Sequence, residues 1–93
     1  MAVEFEIVYQ LAVTHEDIPR IAEMWRDKIE SAIEEKLTTH PDVYGRPLRR
    51  SFRGYRKLRV GDYRVVFRIE VARVKIFAIA HRSVVYKIME QRL

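Results

Sequence analysis

Apolar and polar residues alternate with the two-residue period of a strand in the opening stretch and again after the middle of the chain, with a helical pattern between them, and this order predicts an α+β fold. Val3 to Tyr9 sets Val3, Phe5, Ile7 and Tyr9 against Glu4, Glu6 and Val8, as in a strand with one buried face. Next, Ile18, Ile21, Ala22, Trp25, Ile29, Ile33 and Leu37 recur at helical spacing, with Arg26, Asp27, Lys28, Glu30, Glu34 and Glu35 mostly elsewhere on the wheel. That stripe predicts a helical layer covering one sheet face, with Trp25 as a core anchor. Thr14 reads as its N-cap, with Glu16 and Asp17 in the first turn and Pro19 near the start. One helix of about 20 residues would span ~30 Å, longer than a small sheet needs, which favours a break near Met24. Thr38-Thr39-His40-Pro41 ends the helical pattern, because the residue before a proline is pushed out of the α region, and Asp42 to Leu48 reads as a connecting loop.

The later pattern centres on GYRKLRVGDYRVVF, Gly54 to Phe67. Two runs rich in β-branched and aromatic residues flank Gly61-Asp62, a pair able to take the positive φ angles of a two-residue hairpin turn. That turn sets Val60 opposite Tyr63, Arg59 opposite Arg64, Leu58 opposite Val65 and Lys57 opposite Val66. Leu58, Val60, Tyr63, Val65, Phe67 and Ile69 then share a core face, and Lys57, Arg59, Arg64 and Arg68 share the other with Val66. Facing arginines cost a few tenths to ~1 kcal/mol unless an anion sits between them, which points to a polyanion site. A second reversal at Glu70 to Arg73 leads into Val74 to Ala80, apolar enough to be central, and Val84 to Arg92 is a short helix whose side Val85, Ile88 and Met89 must dock or yield to a partner. The expected architecture is a four-stranded, mostly meander antiparallel sheet with helical cover on one face and a short C-terminal helix.

Composition sharpens this picture. Ninety-three residues with 48% hydrophobic content suffice for one modest core, so residues 1–93 are expected to form a single domain. The sequence has no cysteine, which fits a reducing cytoplasm. Its start, MAVEFEIVYQ, lacks the basic-then-apolar order of a signal peptide, and no apolar run approaches the roughly 20 residues of a membrane span. The expectation is therefore a cytoplasmic protein without a membrane partner. Residues 1–44 carry four Lys/Arg against ten Asp/Glu, and residues 45–93 carry fourteen against three, so the net +5 hides an acidic half and a strongly basic half. A basic half built on strands attracts nucleic acid or an acidic protein, or is simply a solvated face.

Most catalytic constellations are excluded. His15, His40 and His81 show no metal-ligand spacing, three glycines make no phosphate-cradling loop, and the carboxylates cluster away from the basic strands, so neither metal nor cofactor is expected. RNA cleavage through a neighbouring 2′-hydroxyl needs a base, an acid and cations for the phosphorane charge. Lys57, Arg59, Arg64 and Arg82 suit the cationic role, with guanidinium–phosphate geometry as the reason for arginine, and Tyr86 or His81 could move protons. His81 fits equally well as a strand-end histidine bonded to backbone. Arg46, Arg49, Arg50 and Arg53 are either a solvated flank or guides for a phosphate backbone.

With these residues laid out, the chain resembles the RelE/ParE superfamily of toxin–antitoxin toxins, and within it the RelE-type mRNA endoribonucleases. The resemblance rests on GRPLRRSFRGYRKLRVGDYRVVFRI from Gly45 to Ile69 and on AIAHRSVVY from Ala78 to Tyr86. It implies a RelE-like fold with a pair of N-terminal helices on one face of an antiparallel sheet. It also implies metal-free cleavage of mRNA, often in the ribosomal A site. Position by position, Arg64 matches the family's central arginine, Arg82 the arginine after the last strand and Tyr86 the C-terminal tyrosine. Lys57 and Arg59 stand where the family places basic residues on the preceding strand, while Phe67 stands where Tyr is frequent. Arg49, Arg50, Arg53, Arg56 and Arg68 complete the expected RNA-binding set. The resemblance further implies an acidic cognate antitoxin, through which alone the chain would reach operator DNA. A ParE-like gyrase inhibitor and a non-catalytic binding relative are the alternatives.

Overall fold

The computed structural model describes residues 4–93. Among them, β1 (Glu6–Tyr9), β2 (Arg46–Pro47), β3 (Arg56–Val60), β4 (Tyr63–Glu70) and β5 (Arg73–His81) form one sheet in the order β1-β5-β4-β3-β2. The central hairpin has the register its turn dictates, with Arg59 opposite Arg64 and Leu58 opposite Val65. Gly61 alone of the two loop residues has positive φ, at 59°, the pattern of a turn with glycine in its first central position.

The sheet has five strands and is mixed, where four antiparallel strands were expected. β1 runs parallel to β5, from Glu6 beside Arg73 to Tyr9 beside Ile76. Alternation reveals which face of a strand is buried but not its direction, and no tight turn links β1 to β5 to fix it. β2 lies inside the stretch read as a loop, pairing Arg46 with Lys57 and Pro47 with Arg56. Two residues carry no period, and proline is tolerated there because the strand is at an edge. Val3, expected to open β1, lies outside the described residues.

The helical layer is divided, although short of Met24. A first segment, residues 11–20, ends as a π-helical turn, Val13–Asp17, and a 3-10 turn, Ile18–Arg20. Ile21 (ψ 133°) and Ala22 (ψ 142°) are extended, and α1 (Glu23–Ala32) then continues through a π-helical turn, Ile33–Leu37. Because the first segment starts before Thr14, that residue is not its cap; its hydroxyl donates to the Leu11 carbonyl at 3.1 Å. Pro41–Tyr44 forms a single helical turn, α2, also within the expected loop, and Val85–Arg92 forms α3.

These elements make two cores. On one face, Ile21, Ile29, Ile33 and Leu37 pack on Leu58, Val65, Phe67, Val74, Ile76 and Ile79. On the other, Val85 and Met89 of α3 cover Val66, Ala78 and Ala80. Fully burying such side chains contributes roughly 1.5–3 kcal/mol each, enough to hold an eight-residue helix that is marginal alone. β5 is apolar on both sides for this reason. A bulge lets Val66 pair with Ala78 and Phe67 with Ile76, leaving Phe77 unopposed and turned into the second core. Gly45 permits a close approach: a Cβ there would collide with Cζ of Phe67.

Candidate active site

The pleat of β3 and β4 sends Lys57, Arg59, Arg64 and Arg68 to the face that carries Val66, the face covered by α3. Arg64 lies between its register partners Arg59 on β3 and Ala80 on β5. Its Nη1 donates to the carbonyls of Gly61 and Tyr63, both at 2.9 Å. Those turn carbonyls relieve part of the Arg59–Arg64 repulsion, so the pair does not depend on an anion alone. Arg82 reaches the same turn: its backbone N–H donates to the Asp62 carbonyl at 2.8 Å, and its Nε lies 3.7 Å from the Asp62 carboxylate. Arg82 remains 64% exposed, so this ion pair is solvent-screened and its guanidinium is open to an incoming anion.

Tyr86, in the first turn of α3, is half-buried in the cluster around Val66, Ala78 and Ala80. Ala80 is the cross-strand partner of Arg64, which brings the phenol's surroundings and the arginine row onto one patch. Phe52 stacks against Tyr86 with centroids 5.8 Å apart. Phe52 belongs to the 3-10 turn Arg50–Phe52, so the exposed Arg49, Arg50 and Arg53 are its chain neighbours. Arg68 sits toward the other end of this face, over the Tyr55 ring at 5.8 Å and 3.6 Å from Glu70, which also pairs with Lys75 at 3.2 Å.

Two expected site residues lie elsewhere. His81 falls on the helical face, edge-on to Tyr63 at 5.9 Å, and Tyr63 stacks in turn on Trp25 at 5.4 Å. Its Nδ1 accepts from the Ser83 N–H at 3.2 Å, so in the neutral ring the proton is on Nε2. Being one residue after Ala80, it cannot share that residue's face. Arg56 shares the Phe67 face and donates to the carbonyls of Gly45 (2.8 Å) and Asp42 (3.1 Å), holding α2 and β2 to the sheet. Sequence reasoning missed Asp62 and Phe52 as neighbours of the site. Asp62 read only as a turn residue, and the contact of Phe52 with Tyr86 spans a long stretch of chain with no local pattern.

A cleft of about 610 Å³ opens on the opposite, helical face, between the first helical segment and α1, with Glu23, Asp27 and Glu30 among its walls. Among the described residues no three of His, Cys, Asp and Glu gather as a metal site, and no helix is long and apolar enough to cross a membrane.

The sequence model of the family described as "ParE toxin of type II toxin-antitoxin system, parDE" matches residues 6–86. The chain belongs to the RelE/ParE superfamily of toxins. This RelE/ParE toxin is 38% identical over 88 residues to Toxin RelE of Mycobacterium tuberculosis (strain ATCC 25618 / H37Rv), a match spanning 85% of this chain and 87% of the relative. Its fold is similar to that of a chain in the toxin–antitoxin complex RelBE2 from Mycobacterium tuberculosis, with TM-score 0.80 and 24% identity over 87% of this chain and 94% of that one. YafQ from E. coli strain BL21(DE3) is similar at TM-score 0.55 and 15% identity, over 86% of this chain and 96% of that one. The family match of this RelE/ParE toxin stops at Tyr86, so most of α3 lies beyond it.

Proposed function

We propose that this toxin is an mRNA endoribonuclease that works without metal or cofactor on message in the ribosomal A site. The observation that supports this reading is the register that sets Lys57, Arg59 and Arg64 on the face covered by α3, with the half-buried Tyr86 packed beside Val66 and Ala80 and the exposed Arg82 at the hairpin turn. In the reaction the 2′-oxygen bonds to phosphorus and gives up its proton. The bond from phosphorus to the 5′-oxygen breaks, a proton reaches that oxygen, and a 2′,3′-cyclic phosphate remains. Arg59, Arg64 and Arg82 stabilise the charge on the phosphorane oxygens, and Tyr86 and Lys57 are the side chains of the patch that carry transferable protons. His81, across the sheet, has no part in these transfers. Arg49, Arg50 and Arg53 guide the strand toward Tyr86, and Arg68 extends the track. The 93 residues act as one RelE-like domain in the cytoplasm. An acidic cognate antitoxin neutralises the basic face, a partnership supported by the RelBE2 complex of a chain of similar fold. Operator DNA is reached through that antitoxin.

A ParE-like inhibitor of gyrase is the second reading, favoured by the description of the matching family. Incubation with mRNA-programmed ribosomes and mapping of the new 5′ ends separates the two. Cleavage is expected from the wild type, with the rate reduced about 10²–10³-fold in Arg64→Ala and in Arg82→Ala, the usual cost of removing one transition-state donor. Folded variants that cut as fast as wild type would place the chemistry elsewhere. An intact message together with a DNA-damage response on induction would favour gyrase.

A further inference from the structure

β1 pairs with β5 only as far as Tyr9 beside Ile76, where the Gln10 N–H still reaches the Ile76 carbonyl at 3.0 Å. Beyond that point the outer edge of β5 has lost its neighbour, and its backbone groups need other partners. Two side chains from opposite faces of the sheet supply them. Asp17, on the first helical segment and 3% exposed, accepts the Ile79 N–H at 2.9 Å. Arg92, the last residue of α3, donates Nη1 to the Phe77 carbonyl at 2.9 Å. The two then join through a two-point fork, Nη1 to Oδ2 at 2.7 Å and Nη2 to Oδ1 at 2.6 Å. The bond to Asp17 raises the Arg92 pKa above its ordinary value against the opposing effect of burial.

We propose that Asp17 and Arg92 are positioning residues, a clasp round the sheet edge that fixes α3 and so holds Tyr86 against the arginine row. The inference rests on the nuclease reading given above. α3 spans eight residues with Tyr86 in its first turn and Arg92 at its end. A helix of that length is marginal alone, so its seating depends on Val85, Met89 and this fork. The fork is charge-assisted, planar and shielded from solvent, which gives it directional hold that one more apolar contact would not. Arg92 lies beyond the residues matched to the family model, while Asp17 lies within them.

Asp17→Asn tests it, because the amide oxygen still accepts the Ile79 N–H while the charge that holds the fork is removed. In the full chain we expect amide exchange across residues 85–92 to accelerate about tenfold or more, with the strands still protected. On mRNA-programmed ribosomes kcat should fall about tenfold with KM held within about twofold. Tyr86→Phe supplies the decisive background: if the clasp acts through the phenol, adding Asp17→Asn to Tyr86→Phe produces little further loss in kcat. Arg92→Lys, which keeps the charge and gives up the fork, serves if Asp17→Asn does not fold. Unchanged exchange in α3, or a full further loss of kcat in the Tyr86→Phe background, overturns the clasp while leaving the nuclease reading standing. A wild type that cuts no message overturns the nuclease reading and the catalytic purpose of the clasp together.

Discussion

Val71 sits at the tip of the β4–β5 turn in the left-handed region, φ 56°, with 97% of its surface exposed. A side chain branched at Cβ is poorly suited to that conformation, which costs L-residues roughly 1–2 kcal/mol, and no burial there offsets it. Val71→Gly is expected to raise the free energy of unfolding by up to about 1 kcal/mol, after allowing for the greater freedom of glycine in the unfolded chain. In urea the midpoint should rise with an unchanged m-value, and a lower midpoint would refute the strain. The reversal at Glu70 to Arg73 was legible in the sequence from the strands on either side. Its strain was not, since neither Val71 nor Ala72 is a residue type that announces positive φ.

At the scale of elements, β1 meets α1 through Tyr9, whose phenol is pushed above its ordinary range by burial first and then by the carboxylates of Glu30 and Glu34. A pKa raised on folding means that the neutral phenol is favoured in the native state. The associated stability is complete below the ordinary tyrosine value of about 10 and is lost as pH climbs through the folded value. Urea titrations from neutral pH into the alkaline range should show this loss, and Tyr9→Phe should flatten it; an equal alkaline loss in the variant would exclude Tyr9 as its source. The elements themselves were unequally legible. The β3–β4 hairpin could be read to the residue because one glycine and two alternating runs fix its register locally. The direction of β1 and the pairing of Arg46–Pro47 are set by distant strands and leave no local period. The helical break at Ile21 and Ala22 carries no glycine, and Pro19 lies just before it, inside the 3-10 turn.

Across the whole molecule part of the basic half of the chain becomes a face as well as a segment, since the pleat of β3 and β4 brings Lys57, Arg59, Arg64 and Arg68 to one side. Were Lys57, Arg59, Arg64 and Arg82 all to contact phosphates, log K for single-stranded RNA should fall with log[salt] at a slope of about −3, from roughly −0.7 per contact. Filter binding across a salt series measures it, with Arg82→Ala expected to lose about 0.7 of that slope and a flat dependence counting against the track. The arginine row was legible because register alone collects it. The Asp17–Arg92 clasp was not, because its partners come from opposite ends of the chain and opposite sides of the sheet. One contact behind the row also limits how the protein can change. Trp25 rests so closely on the hairpin tip that a Cβ at Gly61 would lie 2.5 Å from Cη2 of the indole, at a backbone φ of +59°. A selection library randomised at Arg59, Arg64 and Arg82 to retune the toxin can therefore explore widely, provided codon 61 is held as glycine while the arginines vary.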